Sequence, residues 1–202
     1  MPTATDQAGR LVIISGPSGV GKSTIVSGLI ERLAPKIRLS VSATTRDPRP
    51  GEVDGQQYHF LSPQDFAARR EAGDFLECME VFGRGHWYGT LFDEVRPSLA
   101  AGQWVILEID VDGARKAREQ FPQAVTIFLT VGGNSVEERD QELERRLRSR
   151  KTDSEEAILR RLEVARREMA QAHTYKYQVV NDQIEPTIQQ IANILTQEGL
   201  EV

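Results

Sequence analysis

The sequence predicts a three-layer α/β fold with a parallel core sheet. Three observations predict it. The run Leu11-Val-Ile-Ile14 reads as a short buried strand. It leads directly into Gly16-Pro-Ser-Gly-Val-Gly-Lys22-Ser23-Thr24, and an amphipathic helix follows. Further apolar strands then alternate with helical segments, the order that gives parallel strands joined by right-handed crossovers. A chain of 202 residues holds one such domain with insertions.

The elements follow in order. The first helix carries Ile25, Leu29 and Leu33 four apart, with Val26 and Ile30 beside them, and Pro35 ends it. Ile37–Ser42 alternates as a second strand. The segment 43–90 has a different texture and reads as an inserted subdomain, with core 11–42, 91–145 and 171–202 around it. Within it, Tyr58–Leu61 is a strand, and Ser62-Pro63 supplies an N-cap and first-turn proline for a helix ending near Gly73. Phe75–Phe82 is another strand. Trp104–Ile109 resumes the core with Asp110 and Asp112 at its C-terminal end, where open α/β sheets bind ligands. Ala124–Leu129 is a further core strand. Ser135 with Glu138, and Asp153 with Glu156, form capping boxes for two charged helices, the second running to about Ala172. Tyr177–Asn181 is the last strand, and Pro186–Glu198 closes the chain as a helix with Ile188, Ile191 and Leu195 on one face.

Composition narrows the function. A net charge of −5 argues against a broad nucleic-acid surface, so an anionic ligand must be held by local arginines and lysines. No apolar run approaches a bilayer span, and residues 1–10 read as a flexible tail without an apolar signal core. A single cysteine, Cys78, suits a reducing cytoplasm. Oligomeric state is expected to be monomer or small homo-oligomer. His59, His86 and His173 are scattered without metal-ligand spacing.

The Gly16–Thr24 stretch has the G-x-x-x-x-G-K-[ST] spacing of a phosphate loop. Glycines let the backbone aim several N–H groups at one point, and the helix behind adds its N-terminal partial charge. Gly16, Pro17, Ser18, Gly19, Val20, Gly21, Lys22, Ser23 and Thr24 are therefore the expected triphosphate cradle. Lys22 would reach the β- and γ-phosphates, and the Ser23 hydroxyl would hold Mg²⁺. Arg46 and Arg49, three apart among prolines, would alone be an exposed polar turn; behind a phosphate loop they read as a second phosphate grip.

These runs carry a resemblance. Gly16–Thr24, Ser40-Val-Ser-Ala-Thr-Thr-Arg46-Asp-Pro-Arg49-Pro-Gly-Glu52, Phe75-Leu-Glu77 with Tyr88-Gly-Thr90, Glu108-Ile-Asp110 and Arg146…Arg150…Arg161 resemble the guanylate kinase family in order, over nearly the whole chain. The resemblance implies transfer of the γ-phosphoryl of ATP to GMP, with Mg²⁺ accompanying ATP. It makes 43–90 the GMP-binding subdomain and 146–170 a lid. It implies that Arg46, Arg49, Tyr58 and Tyr88 hold the GMP phosphate and that Glu77 faces the guanine edge. Ser42 and Thr90 would donate to O6, and Asp110 would sit near the guanine and, with Ser23, the metal. Arg146, Arg150 and Arg161 would act with Lys22 on the transferring phosphoryl group, and Asn181 would lie near the adenine. Two other readings remain at this point. A peptide-binding module of the same fold is disfavoured by the intact phosphate loop, and a related kinase with another acceptor, such as a sugar bisphosphate, is disfavoured by Glu77, Ser42 and Thr90.

Overall fold

The computed structural model describes residues 9–80, 85–149 and 154–201. Its centre is a five-stranded sheet of β1 (Leu11–Ser15), β2 (Ile37–Leu39), β7 (Trp104–Glu108), β8 (Val125–Thr130) and β9 (Tyr177–Val180). The strand order is β2-β7-β1-β8-β9, and every pairing is parallel. The sheet is apolar on both faces because helices cover both. Alternate residues part accordingly: Val12, Ile14, Ile106 and Leu129 join one apolar cluster, and Leu11, Ile13, Val105, Leu107 and Phe128 the other.

The first cluster is closed by α1 (Lys22–Leu33), α5 (Val136–Ser149), α6 (Glu155–Ala170) and α7 (Ile184–Gln197). The second is closed by α3 (Phe92–Ala100) and α4 (Val111–Gln120). A smaller mixed sheet, in the order β4-β3-β6-β5, contains β3 (Ala43–Thr44), β4 (His59–Phe60), β5 (Phe75–Glu80) and β6 (Trp87–Leu91). Its own apolar cluster holds Ala43, Phe66 and Leu91, with Phe66 of α2 (Pro63–Ala72) stacked 4.4 Å from the Phe75 ring. Trp87 packs 6.1 Å from Phe66, inside this subdomain.

Several boundaries differ from the sequence reading for local reasons. The strand expected over 37–42 ends at Leu39 as β2, because the Val41 N–H turns to the Glu94 carboxylate at 3.4 Å instead of continuing the core ladder, and β3 begins only at Ala43. Helix α6 is capped by Ser154, whose Oγ accepts from Ala157 N at 3.3 Å; Asp153 lies outside the described residues. The Ser135 cap on α5 is present at 3.2 Å, but Glu138 takes the N–H of Asn134 instead of closing the box. Helix α7 begins at Ile184, and α6 ends at Ala170 before a short 3-10 turn over Ala172–Thr174. The strand read over 75–82 is described as far as Glu80. Of the expected tail, Gly9 donates to Leu99 O at 3.0 Å and Arg10 to Gln123 O at 3.1 Å, so both are docked. The expected lid segment, 146–170, packs Leu147, Ile158, Leu162 and Ala165 into the first cluster. Among the described residues, no helix is long and apolar enough to cross a membrane.

Phe66→Ala should destabilise the protein by about 3–5 kcal/mol, because it empties the centre of the small sheet's core. Urea unfolding measures this; a loss under 1 kcal/mol would show that Phe66 is not the keystone of that cluster.

Candidate active site

The strand–loop–helix unit forms as its residues dictate. Gly16, Gly19 and Gly21 hold φ values of 151°, 89° and 96°, which L side chains rarely adopt. A Cβ at Gly16 would also lie 2.4 Å from Leu129 O. Lys22 folds back over the loop, donating to Gly16 O at 2.6 Å and Pro17 O at 3.3 Å. Ser23 Oγ donates to Glu108 Oε1 at 2.6 Å, at the C-terminal end of β7. Beside it, Asp110 caps α4, accepting from Gly113 N at 2.8 Å, and burial pushes its carboxyl up.

A groove of about 710 Å³ opens beside this loop. Ser18, Lys22, Glu108, Asp110 and Arg115 line it, with Met79 and Glu80 of β5 on one side and Glu168 of α6 on another. Glu168 is 8% exposed and one of its carboxylate oxygens has no hydrogen-bond partner. Burial pushes its pKa up to about 7, partly offset by Lys22.

The arginine–tyrosine cluster also assembles. Arg46 forks onto Glu52 with two 2.9 Å bonds and lies over the Tyr58 ring at 5.4 Å. Tyr58 and Tyr88 meet edge to face at 5.7 Å. The Arg49 N–H donates to Glu52 at 2.7 Å, while its side chain is exposed. The Arg46 fork holds the Glu52 carboxyl below the usual range.

Glu77 is 5% exposed on β5 and accepts from Thr90 Oγ1 of β6 at 2.8 Å. Burial raises its pKa to about 7, against the lowering effect of the Thr90 bond. Ser42 sits half-buried just before β3.

Four of the expected site residues already have partners within the protein. Thr90 gives its hydroxyl proton to Glu77 and so orients the carboxylate. Asn181 is buried and its side-chain amide donates to Val20 O at 2.7 Å, so it braces the phosphate loop. Arg146 donates to Asn181 O at 2.9 Å and Val20 O at 3.5 Å, and Arg161 reaches Ser18 Oγ at 2.7 Å. Both arginines thus already touch the loop. Arg150 lies outside the described residues. Sequence reasoning missed Glu108 and Glu168 as site residues, and it quoted Glu52 without a role. A hydroxyl partner at Ser23 was the available signal for Glu108; nothing local distinguishes Glu168 from its charged neighbours.

Glu168 makes folding pH-dependent. Its folded pKa lies above the ordinary 4.5, so its contribution to stability is present at low pH and is lost as pH rises from about 4.5 through about 7. Glu168→Gln removes that loss. Relative to the parent, the variant should gain on the order of 3 kcal/mol between pH 4.5 and pH 8, read by denaturant unfolding at both pH values. A pH-independent difference would refute the assignment.

The comparisons accord with this geometry. The guanylate kinase family model matches residues 8–198. A guanylate kinase of Rhodopirellula baltica is 50% identical over 192 residues, covering 95% of this chain and 89% of the relative. One from Thermosynechococcus vestitus is 47% identical over 188 residues, covering 93% and 94%. Among solved structures, guanylate kinase from Anaplasma phagocytophilum superposes with a TM-score of 0.75 at 30% identity, covering 97% of this chain and 89% of that one. With similarity at this level along almost its entire length, the chain belongs to the guanylate kinase family.

Proposed function

We propose that the chain transfers the terminal phosphoryl group of ATP to GMP, giving ADP and GDP, with ATP on Gly16–Thr24 and GMP between the small sheet and α4. The observation that carries the acceptor is the buried Glu77 held by Thr90, beside the groove that Lys22 lines. Guanine presents an N1–H and a 2-amino group to a carboxylate, which accepts both. Adenine has neither donor there and would leave Glu77 buried and unpaired, a penalty that supports strong discrimination. Ser42 and Thr90 are the hydroxyls proposed for O6.

The GMP phosphate is already an anionic nucleophile near neutral pH, so no general base is required. Arg46 exchanges Glu52 for the phosphate, with Arg49, Tyr58 and Tyr88 as further donors. Lys22, Arg146 and Arg161 neutralise charge on the transferring group, and Arg150 is proposed with them. The Ser23 hydroxyl, Glu108 and Asp110 form a hard oxygen set at the strand end. That set fits Mg²⁺, which keeps most of its shell as water and phosphate oxygens and so needs few protein ligands. Ser23 with Asp110 or Glu108 would hold it, and it would supply charge neutralisation across the β- and γ-phosphates. ATP and GMP are the proposed partners, and the single half-buried thiol of Cys78 supports a reducing cytoplasmic setting.

A coupled ADP-release assay across GMP, AMP, UMP and a sugar phosphate tests the acceptor. GMP should be used far faster than the rest; equal rates with AMP would overturn the reading. Lys22→Ala should lower kcat by roughly 10²–10³-fold while calorimetry still detects GMP binding. Equal loss of both would refute the role given to Lys22.

A further inference from the structure

We propose that guanine selectivity is set from the core helix α4, with Gly113 and Lys116 as positioning residues for Glu77. The inference rests on the reading of Glu77 as the base-facing carboxylate. Helix α4 packs against β5, and two residues of α4 three apart meet consecutive positions of that strand.

Gly113 lies in the first turn of α4 and does not have a positive φ, so conformational freedom does not explain a glycine there. In a helix, alanine is favoured over glycine by about 1 kcal/mol. What glycine supplies is space. A Cβ at this position would lie 2.9 Å from Glu77 Oε2, 3.4 Å from Glu77 Cδ and 3.3 Å from Asp110 Oδ1. Glu77 cannot give way freely, because it is buried and Thr90 holds its other oxygen at 2.8 Å. A methyl group here therefore pushes the carboxylate off the Thr90 hydroxyl or forces β5 away from α4.

Lys116 fixes the other half of the contact. Its Nζ donates to Cys78 O at 2.8 Å, at the residue adjoining Glu77. Its charge also favours the ionised form of Glu77. The main chain of β5 is thus anchored to α4 at Cys78, while the side chain of Glu77 fills the gap left at Gly113. The carboxylate belongs to the small sheet, but its placement is dictated by the core.

The test compares GMP with IMP, which keeps N1–H and O6 and lacks the 2-amino group. Gly113→Ala should raise KM for GMP and lower the GMP/IMP ratio of kcat/KM, each by about tenfold, the equivalent of one hydrogen bond to a charged group. KM for ATP should stay within about twofold of the parent, a change of under half a kcal/mol. Lys116→Met should act in the same direction, and Lys116→Arg should restore the parent ratio by keeping a donor to Cys78 O. If Gly113→Ala does not fold, the two Lys116 variants decide the matter. Parent-like GMP constants in both Gly113→Ala and Lys116→Met, or a parallel rise in KM for ATP, would overturn the proposal. Glu77→Gln separates the two levels. If it lowers the GMP/IMP ratio while the helix variants do not, this inference alone fails. If it leaves the ratio unchanged, the reading of Glu77 fails with it.

Discussion

The backbone of residues 16–21 is the constraint on which the rest of the site depends. It leaves the middle of the sheet, since β1 lies between β7 and β8. It then turns through left-handed conformations at Gly19 and Gly21 before α1 begins. Such a loop has few ways to satisfy its own polar groups. Other elements do that work. The Val20 carbonyl takes Asn181 Nδ2 at 2.7 Å, and the Ser18 hydroxyl takes Arg161 at 2.7 Å. The end of β9 and the helix α6 are therefore placed relative to the phosphate cradle by the same bonds that hold the cradle in shape. Apolar packing of α5 and α6 on the first cluster makes those bonds reach the same loop each time.

The small sheet is tied to this core by two contacts of different character. One is polar: Glu94 of α3 accepts from Arg38 of β2 at 2.6 Å and meets His59 of β4 at 2.8 Å. The other is the packing of α4 on β5, with Lys116 on Cys78 O. Together they fix both ends of the small sheet against helices of the second cluster. A four-stranded sheet with so small an apolar centre gains little stability alone. Its geometry is borrowed from α3 and α4, which is why the acceptor side of the proposed reaction has a defined distance from the phosphate loop.

What was legible in the sequence was whatever is local. The phosphate loop could be read because its glycines, Lys22 and Ser23 are adjacent and each spacing has a physical reason. The core strands could be read because burial on both faces makes them continuously apolar. The Ser62 cap and the Gly73 stop of α2 were visible for the same kind of reason. Glu77 and Tyr88 were found only through the order of several motifs, since a carboxylate on a strand carries no mark of its burial. The direction of the Thr90 hydrogen bond, the bracing role of Asn181 and the burial of Glu168 depend on which distant segment packs against each. None of these leaves a periodic trace in the chain. Helices α3 and α4 escaped notice because α3 carries Pro97 within it and α4 opens on Asp110 and Asp112, which read as a ligand-binding strand end.

The charge distribution explains how an acidic chain can serve two anionic substrates. A strongly positive groove would attract phosphate but would repel itself in the free protein. Here Lys22, Arg46 and Arg146 already have internal acceptors. Lys22 is on the Gly16 and Pro17 carbonyls, Arg46 is on Glu52, and Arg146 is on Asn181 O and Glu142. Glu108, Asp110 and Glu168 line the same groove as Lys22. In the proposed reaction, phosphate binding is then an exchange of partners and not the capture of an ion by a net field. The exchange is selective because a carboxylate such as Glu52 offers one charge and two oxygens, whereas a phosphate offers more of both to the same guanidinium fork. At Arg46, a neutral or singly charged competitor gains nothing over the Glu52 carboxylate it must displace.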